Sequence, residues 1–204
     1  MLYDECQWRP KLKMLRVLIG VLLGVILVPV AVLAWFWFGK VPVAVADRPI
    51  PHEREVLSIP LRARIHRELI KNPPIAVDEN NLVAGAHVYG EKCSICHGFH
   101  GKPSQYGMHL FPVAPQLWQK HPKSDVVGVS DDPPGETYWK VANGIRLTGM
   151  PAYNSMLTQT EMWQVSLLLA NADKPLPPAA IELLRGEAPL VVAPPSPVSP
   201  AAHK

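Results

Sequence analysis

Two thiols and an imidazole stand within five residues at Cys93-Ser94-Ile95-Cys96-His97. Side chains three positions apart lie on one face of a helical turn. Two such sulfurs can form thioethers with the two vinyl groups on one edge of a haem. The histidine that follows at once is then held beneath the iron as its proximal ligand. Two other chemistries use this cysteine spacing. A thioredoxin-like dithiol does not require the histidine and normally follows a strand in a βαβ pattern, which is not found around position 93. A zinc site from Cys93, Cys96, His100 and His109 has four residues of ligand type, but the gaps between the later ones match no familiar zinc-finger spacing. The motif favours covalent haem.

On the opposite face of a haem held this way, a sixth ligand from a loop well downstream completes the coordination. The stretch Gly144-Ile145-Arg146-Leu147-Thr148-Gly149-Met150-Pro151-Ala152-Tyr153 offers Met150. Gly149 supplies backbone freedom on one side and Pro151 rigidity on the other. A thioether is a soft ligand, and His/Met coordination favours ferrous iron and raises the potential. Met156, Met108 and His109 are rivals, and a lone methionine often only fills a gap in a core. Cys6 stands alone near the N-terminus and reads as a reduced bystander thiol.

Several elements must position these residues. A helix is expected over 78–92, capped by Asp78 or Asn80, with Leu82, Ala86, Tyr89 and Cys93 on one face. Residues 98–133 are rich in Gly and Pro and read as a long loop. A short helix over 136–143 closes at Gly144. Thr158-Gln159-Thr160-Glu161 matches a capping box and opens a last helix to about 171. Upstream, Leu61, Ile65 and Leu69 recur every fourth residue among arginines, which predicts a short amphipathic connector helix packing on its own domain.

Residues 17–38 carry no charge, and as a helix they span about 33 Å, enough to cross a hydrocarbon core. Arg9, Lys11, Lys13 and Arg16 precede the run and only Lys40 follows closely, so the positive-inside rule exports everything after it. A cleaved signal peptide is the alternative, with Ala44-Val45-Ala46 as its small-residue site. The length of the run and the four aromatics Trp35 to Phe38 favour an anchor. The net charge of +3 resides mostly at the N-terminal tip, and residues 80–174 hold seven basic and seven acidic side chains. There is no basic stripe of the kind nucleic acid requires.

From Gly85 to about Lys174 the chain resembles a mono-haem class I c-type cytochrome. The resemblance rests on the haem motif, on Gly85 and Tyr89 four residues apart before Cys93, and on the Gly-Met-Pro-Ala-aromatic string. It implies that Gly85 and Tyr89 lie where the first helix crosses the last, which presents Trp163 and Leu167. It implies also that a proline carbonyl, best matched by Pro115, accepts the proximal histidine's proton, and that Met150 is the distal ligand.

The expected organisation is a cytoplasmic N-terminus (1–16), a transmembrane helix (17–38), a connector (39–79), a haem domain (80–174) and a Pro/Ala-rich tail (175–204). The fold class is all-α: a small class I cytochrome c domain around one covalent haem c, preceded by a single membrane helix. The cofactor-binding residues are Cys93, Cys96, His97 and Met150, the last two on the iron. The expected function is one-electron transfer, as a tethered shuttle or as the cytochrome subunit of a respiratory oxidoreductase. Partners are the membrane and redox proteins, with no nucleic acid and no small-molecule substrate. The place is the bacterial inner membrane, single-pass, with the haem domain in the periplasm. No catalytic nucleophile, acid or base is evident, so the chain is not expected to be an enzyme. A haem-based gas-binding or sensing module with a labile sixth ligand is the alternative.

Overall fold

The structure, a computed structural model, describes the backbone of residues 5–186 and the side chains of 13–186. Cys6 and the end of the tail lie outside the described side chains. Among the described residues there are helices and two isolated bridges but no strand, so the fold is all-α. The chain divides between Pro51 and His52 into two units.

The first unit is dominated by α1 (Glu5–Phe38). Its stretch Lys13–Phe38 is the one helix among the described residues long and apolar enough to cross a membrane. Leu22, Val25, Ile26 and Leu33 are all exposed, as suits a helix whose backbone is satisfied internally and whose side chains face hydrocarbon. The helix starts at Glu5, twelve residues ahead of the expected boundary at 17. Lys, Leu, Met and Arg fill 11–16, and these helix formers give it no reason to stop at the edge of the apolar run.

The second unit opens with α2 (Glu53–Glu68), longer than the predicted connector helix. Glu53 and Glu55 occupy its first turn and His66 and Arg67 its last, matching the helix dipole. From His52 onward the expected segment 39–79 packs as part of the second unit. Ile65 of α2 is buried, and α2 packs on α6 (Pro134–Asn143). The Trp139 indole N–H donates to Glu68 Oε2 at 2.7 Å, and Arg64 donates to the other carboxylate oxygen at 2.9 Å. These bonds hold the Glu68 carboxyl below its ordinary range. Gly135 lets α6 approach the Ile70 carbonyl so closely that a Cβ would overlap it.

The centre of the unit is the crossing of α3 (Glu79–Lys92) and α7 (Gln159–Leu169). Asp78 caps α3 by accepting from Asn81 N at 2.9 Å. Thr158 and Glu161 form the reciprocal capping box of α7. At the crossing, a Cβ on Gly85 would overlap the Gln164 carbonyl and press on Leu168. Directly opposite Gly85 on α7 are thus Gln164 and Leu168, while Trp163 and Leu167, expected at the crossing, are buried beside them. Trp163 stacks on Tyr138 of α6, with centroids 4.2 Å apart. Short helices α4 (Ser94–His97) and α5 (Gln105–Met108) complete the middle of the chain, so the expected loop 98–133 is interrupted by one helical turn.

A further helix, α8 (Pro178–Leu184), falls where only a Pro/Ala-rich tail was expected. It packs on α3, with Ala180 and Leu184 fully buried in the main core cluster. The backbone N–H of His100 donates to the Leu184 carbonyl at 3.0 Å. The compact unit that contains the Cys93–His97 motif therefore begins at 52 and includes α8, reaching outside the expected span 80–174 on both sides. Composition concealed the helix: Pro177 and Pro178 serve as N-cap and first residue, while Ala180 and Leu184, four apart, supply its apolar face. Truncating Leu184 to Ala should lower unfolding stability by about 2–5 kcal/mol, as for other buried leucines. Thermal melts of the two forms check this, and an unchanged melting temperature would return the segment to a tail.

Candidate haem-binding site

Helix α3 ends one residue before the motif, where Cys93 caps it by donating its N–H to the Tyr89 carbonyl at 2.9 Å. A single further turn follows, closed by His97 N to Cys93 O at 3.0 Å. Cys93 and Cys96 are thereby presented one turn apart, both as free thiols and both half-buried. Gly98, at φ 74, turns the chain away immediately after His97. Tyr89 donates its hydroxyl to the Gly98 carbonyl at 2.6 Å and meets Trp118 edge-on. The aromatic of the first helix thus anchors the far end of the motif.

His97 Nδ1 lies 2.7 Å from the carbonyl oxygen of Pro115. A carbonyl can only accept, so Nδ1 carries the proton and Nε2 is left with a free lone pair. Burial further pushes the imidazole pKa down, which keeps the ring neutral. A neutral ring with its second nitrogen already engaged is what a metal-bound histidine needs. The backbone on either side tightens the arrangement, since Leu117 N donates to the His97 carbonyl at 3.3 Å.

Packing against the core pushes the Cys93 thiol up to about 12, with Cys96 adding to the effect. A thiol held protonated is a poor nucleophile, and so a poor start for a dithiol oxidoreductase. Among the described residues no three side chains of His, Cys, Asp or Glu come together in a metal-binding group. The zinc alternative fails on this geometry: His109 hydrogen-bonds its own helix at Gln105 O, 2.7 Å away, and His100 leans on Trp118. One histidine nitrogen, two spaced thiols and a thioether source fit a covalent haem c better than either rival. Cys93 and Cys96 would hold it and His97 would ligate its iron.

Met150 comes from the loop after α6. Gly144, at φ 65, ends that helix where a Cβ would collide with Ala152 N. Thr148 organises the turn: its hydroxyl donates to Ile145 O at 2.7 Å and accepts from Met150 N at 3.1 Å. Tyr153 then ties the loop down twice. Its N–H donates to Val141 O of α6 at 3.0 Å, and its hydroxyl to Lys92 O at 2.8 Å. The second tie brings the loop to the residue preceding Cys93. Met150 is half-buried against the core, whereas Met156 and Met108 are 50% and 43% exposed. Arg146 is exposed, while Trp118 and Trp139 are core residues and Tyr138 packs on the core. Thr148, Ser104 and Gln116 were missed from sequence, because each acts through backbone atoms far along the chain or across a turn.

The return loop meets the motif at Gly107. A Cβ there would overlap the Cys96 carbonyl oxygen. Ser104 accepts from Gly107 N at 2.8 Å and donates to the Ile95 carbonyl. Residues 80–167 match the family described as cytochrome C oxidase, cbb3-type, subunit III. No curated protein and no solved structure matches the chain. Gly107→Ala should force loop and motif apart, giving severalfold less covalent haem per polypeptide and a lower melting temperature. Haem absorbance against protein mass measures the first, and wild-type occupancy would show that the close approach is dispensable.

Proposed function

We propose that this chain, whose residues 80–167 form a c-type cytochrome domain with covalent haem c, is a membrane-anchored one-electron carrier with its iron between His97 and Met150. The observation that carries the reading is the bond from His97 Nδ1 to Pro115 O, which commits Nε2 to a ligand on one face. The tied loop 144–153 and the burial of Met150 support it as the ligand on the other. Haem supplies the one-electron couple. With His97 and Met150 both on it the iron would have no position open for substrate, and keeping both ligands in either oxidation state would keep rearrangement small. On this reading the chain is not an enzyme in its own right.

The length of the leash bears on the partner. Between the end of α1 at Phe38 and the start of the haem unit lie only the thirteen residues 39–51. Fully extended they reach roughly 45 Å, about a third of what a free connector over 39–79 would allow. A carrier on so short a tether meets partners in its own membrane at high effective concentration. That favours the cytochrome subunit of a membrane oxidoreductase over a long-range shuttle. The basic N-terminal flank supports single-pass insertion in a bacterial inner membrane, with the haem domain on the periplasmic side.

Expression with c-type maturation machinery should give a band that stains for haem on a denaturing gel; a colourless band would sink the proposal. The oxidised wild type should show the weak long-wavelength sulfur-to-iron charge-transfer band of methionine-ligated haem. Met150→Ala should abolish that band and open the reduced iron to carbon monoxide, while Met156→Ala should leave the spectrum unchanged. A wild type that already binds carbon monoxide would favour the gas-binding reading.

A further inference from the structure

We propose that Gln116 is a positioning residue for the proximal iron ligand, its carboxamide fixing the Pro115 carbonyl against the His97 ring. The inference rests on the reading of His97 as that ligand. Gln116 Oε1 accepts from Ser104 N at 2.7 Å. Its Nε2 donates to Ala114 O at 3.1 Å and to Cys96 O at 3.3 Å. An N–H on one side and two carbonyls on the other leave the amide only one orientation. One side chain therefore joins three backbone segments: the start of the return loop, its end, and the attachment turn itself.

The consequence falls on the residue between. Pro115 is flanked by Ala114 and Gln116, whose carbonyl and side chain meet, and its own carbonyl faces His97 Nδ1 at 2.7 Å. The tie from Nε2 to Cys96 O runs beside that bond, one residue earlier on the motif and one later on the loop. Proline has no N–H with which to hold itself in place, so the carbonyl's aim depends on its neighbours. Leu117 N to His97 O, at 3.3 Å, is a second tie from the loop to the histidine. A carbonyl that draws on the Nδ1 proton makes Nε2 a stronger donor and stabilises ferric iron. Loosening it makes Nε2 weaker and moves the potential up.

The test uses the full chain matured with haem, as wild type, Gln116→Met and Gln116→Glu. The first variant keeps the volume and removes every polar contact. The second keeps the acceptor for Ser104 N but turns an oxygen toward the Cys96 and Ala114 carbonyls. Both should retain covalent haem, show a higher midpoint potential, and exchange the His97 Nδ1 proton roughly tenfold faster by NMR, the factor for one ordinary hydrogen bond. Wild-type potential and exchange rate with only a lower melting temperature would make Gln116 a general staple and overturn the proposal. Loss of haem from both variants would overturn it too, by assigning the residue to maturation. A wild type without haem would instead refute the reading of His97, a distinguishable failure.

Discussion

The bond between His97 Nδ1 and the Pro115 carbonyl is the constraint around which the haem unit is arranged. It joins residues 18 apart, so the chain must leave the motif, travel out and return to the same turn. Several irregular features of the intervening segment serve that path. Gly98 turns the chain at positive φ, Gly107 lets it pass against the Cys96 carbonyl, and Ser104 and Gln116 close the gaps with side-chain bonds to backbone. A loop with few ladder bonds of its own still needs its buried polar groups satisfied. Here those groups are satisfied by the motif that the loop positions.

The motif can bear this only because its other end is rigid. Gly85 brings α3 within backbone contact of α7, and Tyr89 reaches from the same helix to the Gly98 carbonyl. Helix α8 also packs on α3, and its Leu184 carbonyl accepts from His100 N. The distal loop depends on the same helix end through Tyr153 and Lys92. Proximal and distal candidates are therefore referred to one frame, the C-terminal turn of α3, although they lie more than 50 residues apart in the chain.

The connector illustrates how packing changes a functional argument. Read as a chain of charges and prolines, residues 39–79 look like a long tether. Docked through Ile65, Glu68 and the Trp139 indole, their second half becomes a part of the domain that faces α6. What remains between the two units is residues 39–51.

Much of this was legible beforehand because it is local. The Cys93-x-x-Cys96-His97 spacing, the Asp78 cap, the Thr158 capping box and the apolar run ahead of Lys40 are decided by neighbours within a turn or by composition over a span. Pro115 as acceptor came from resemblance rather than spacing, and the structure shows that bond. Other features were decided only in three dimensions. A helix beginning Pro177-Pro178 looks like a tail until α3 offers its apolar face a place to bury. Gln116 is one glutamine in a loop until Cys96 and Ser104 come within reach of it. That Gln164 and Leu168 stand directly opposite Gly85 is set by how closely the two backbones approach there, which no side chain announces. Sequence alone determined the chemistry of the motif, since that chemistry needs only residue types at fixed spacing. Tertiary structure decided what holds the motif in place, since those bonds join residues that only folding makes neighbours.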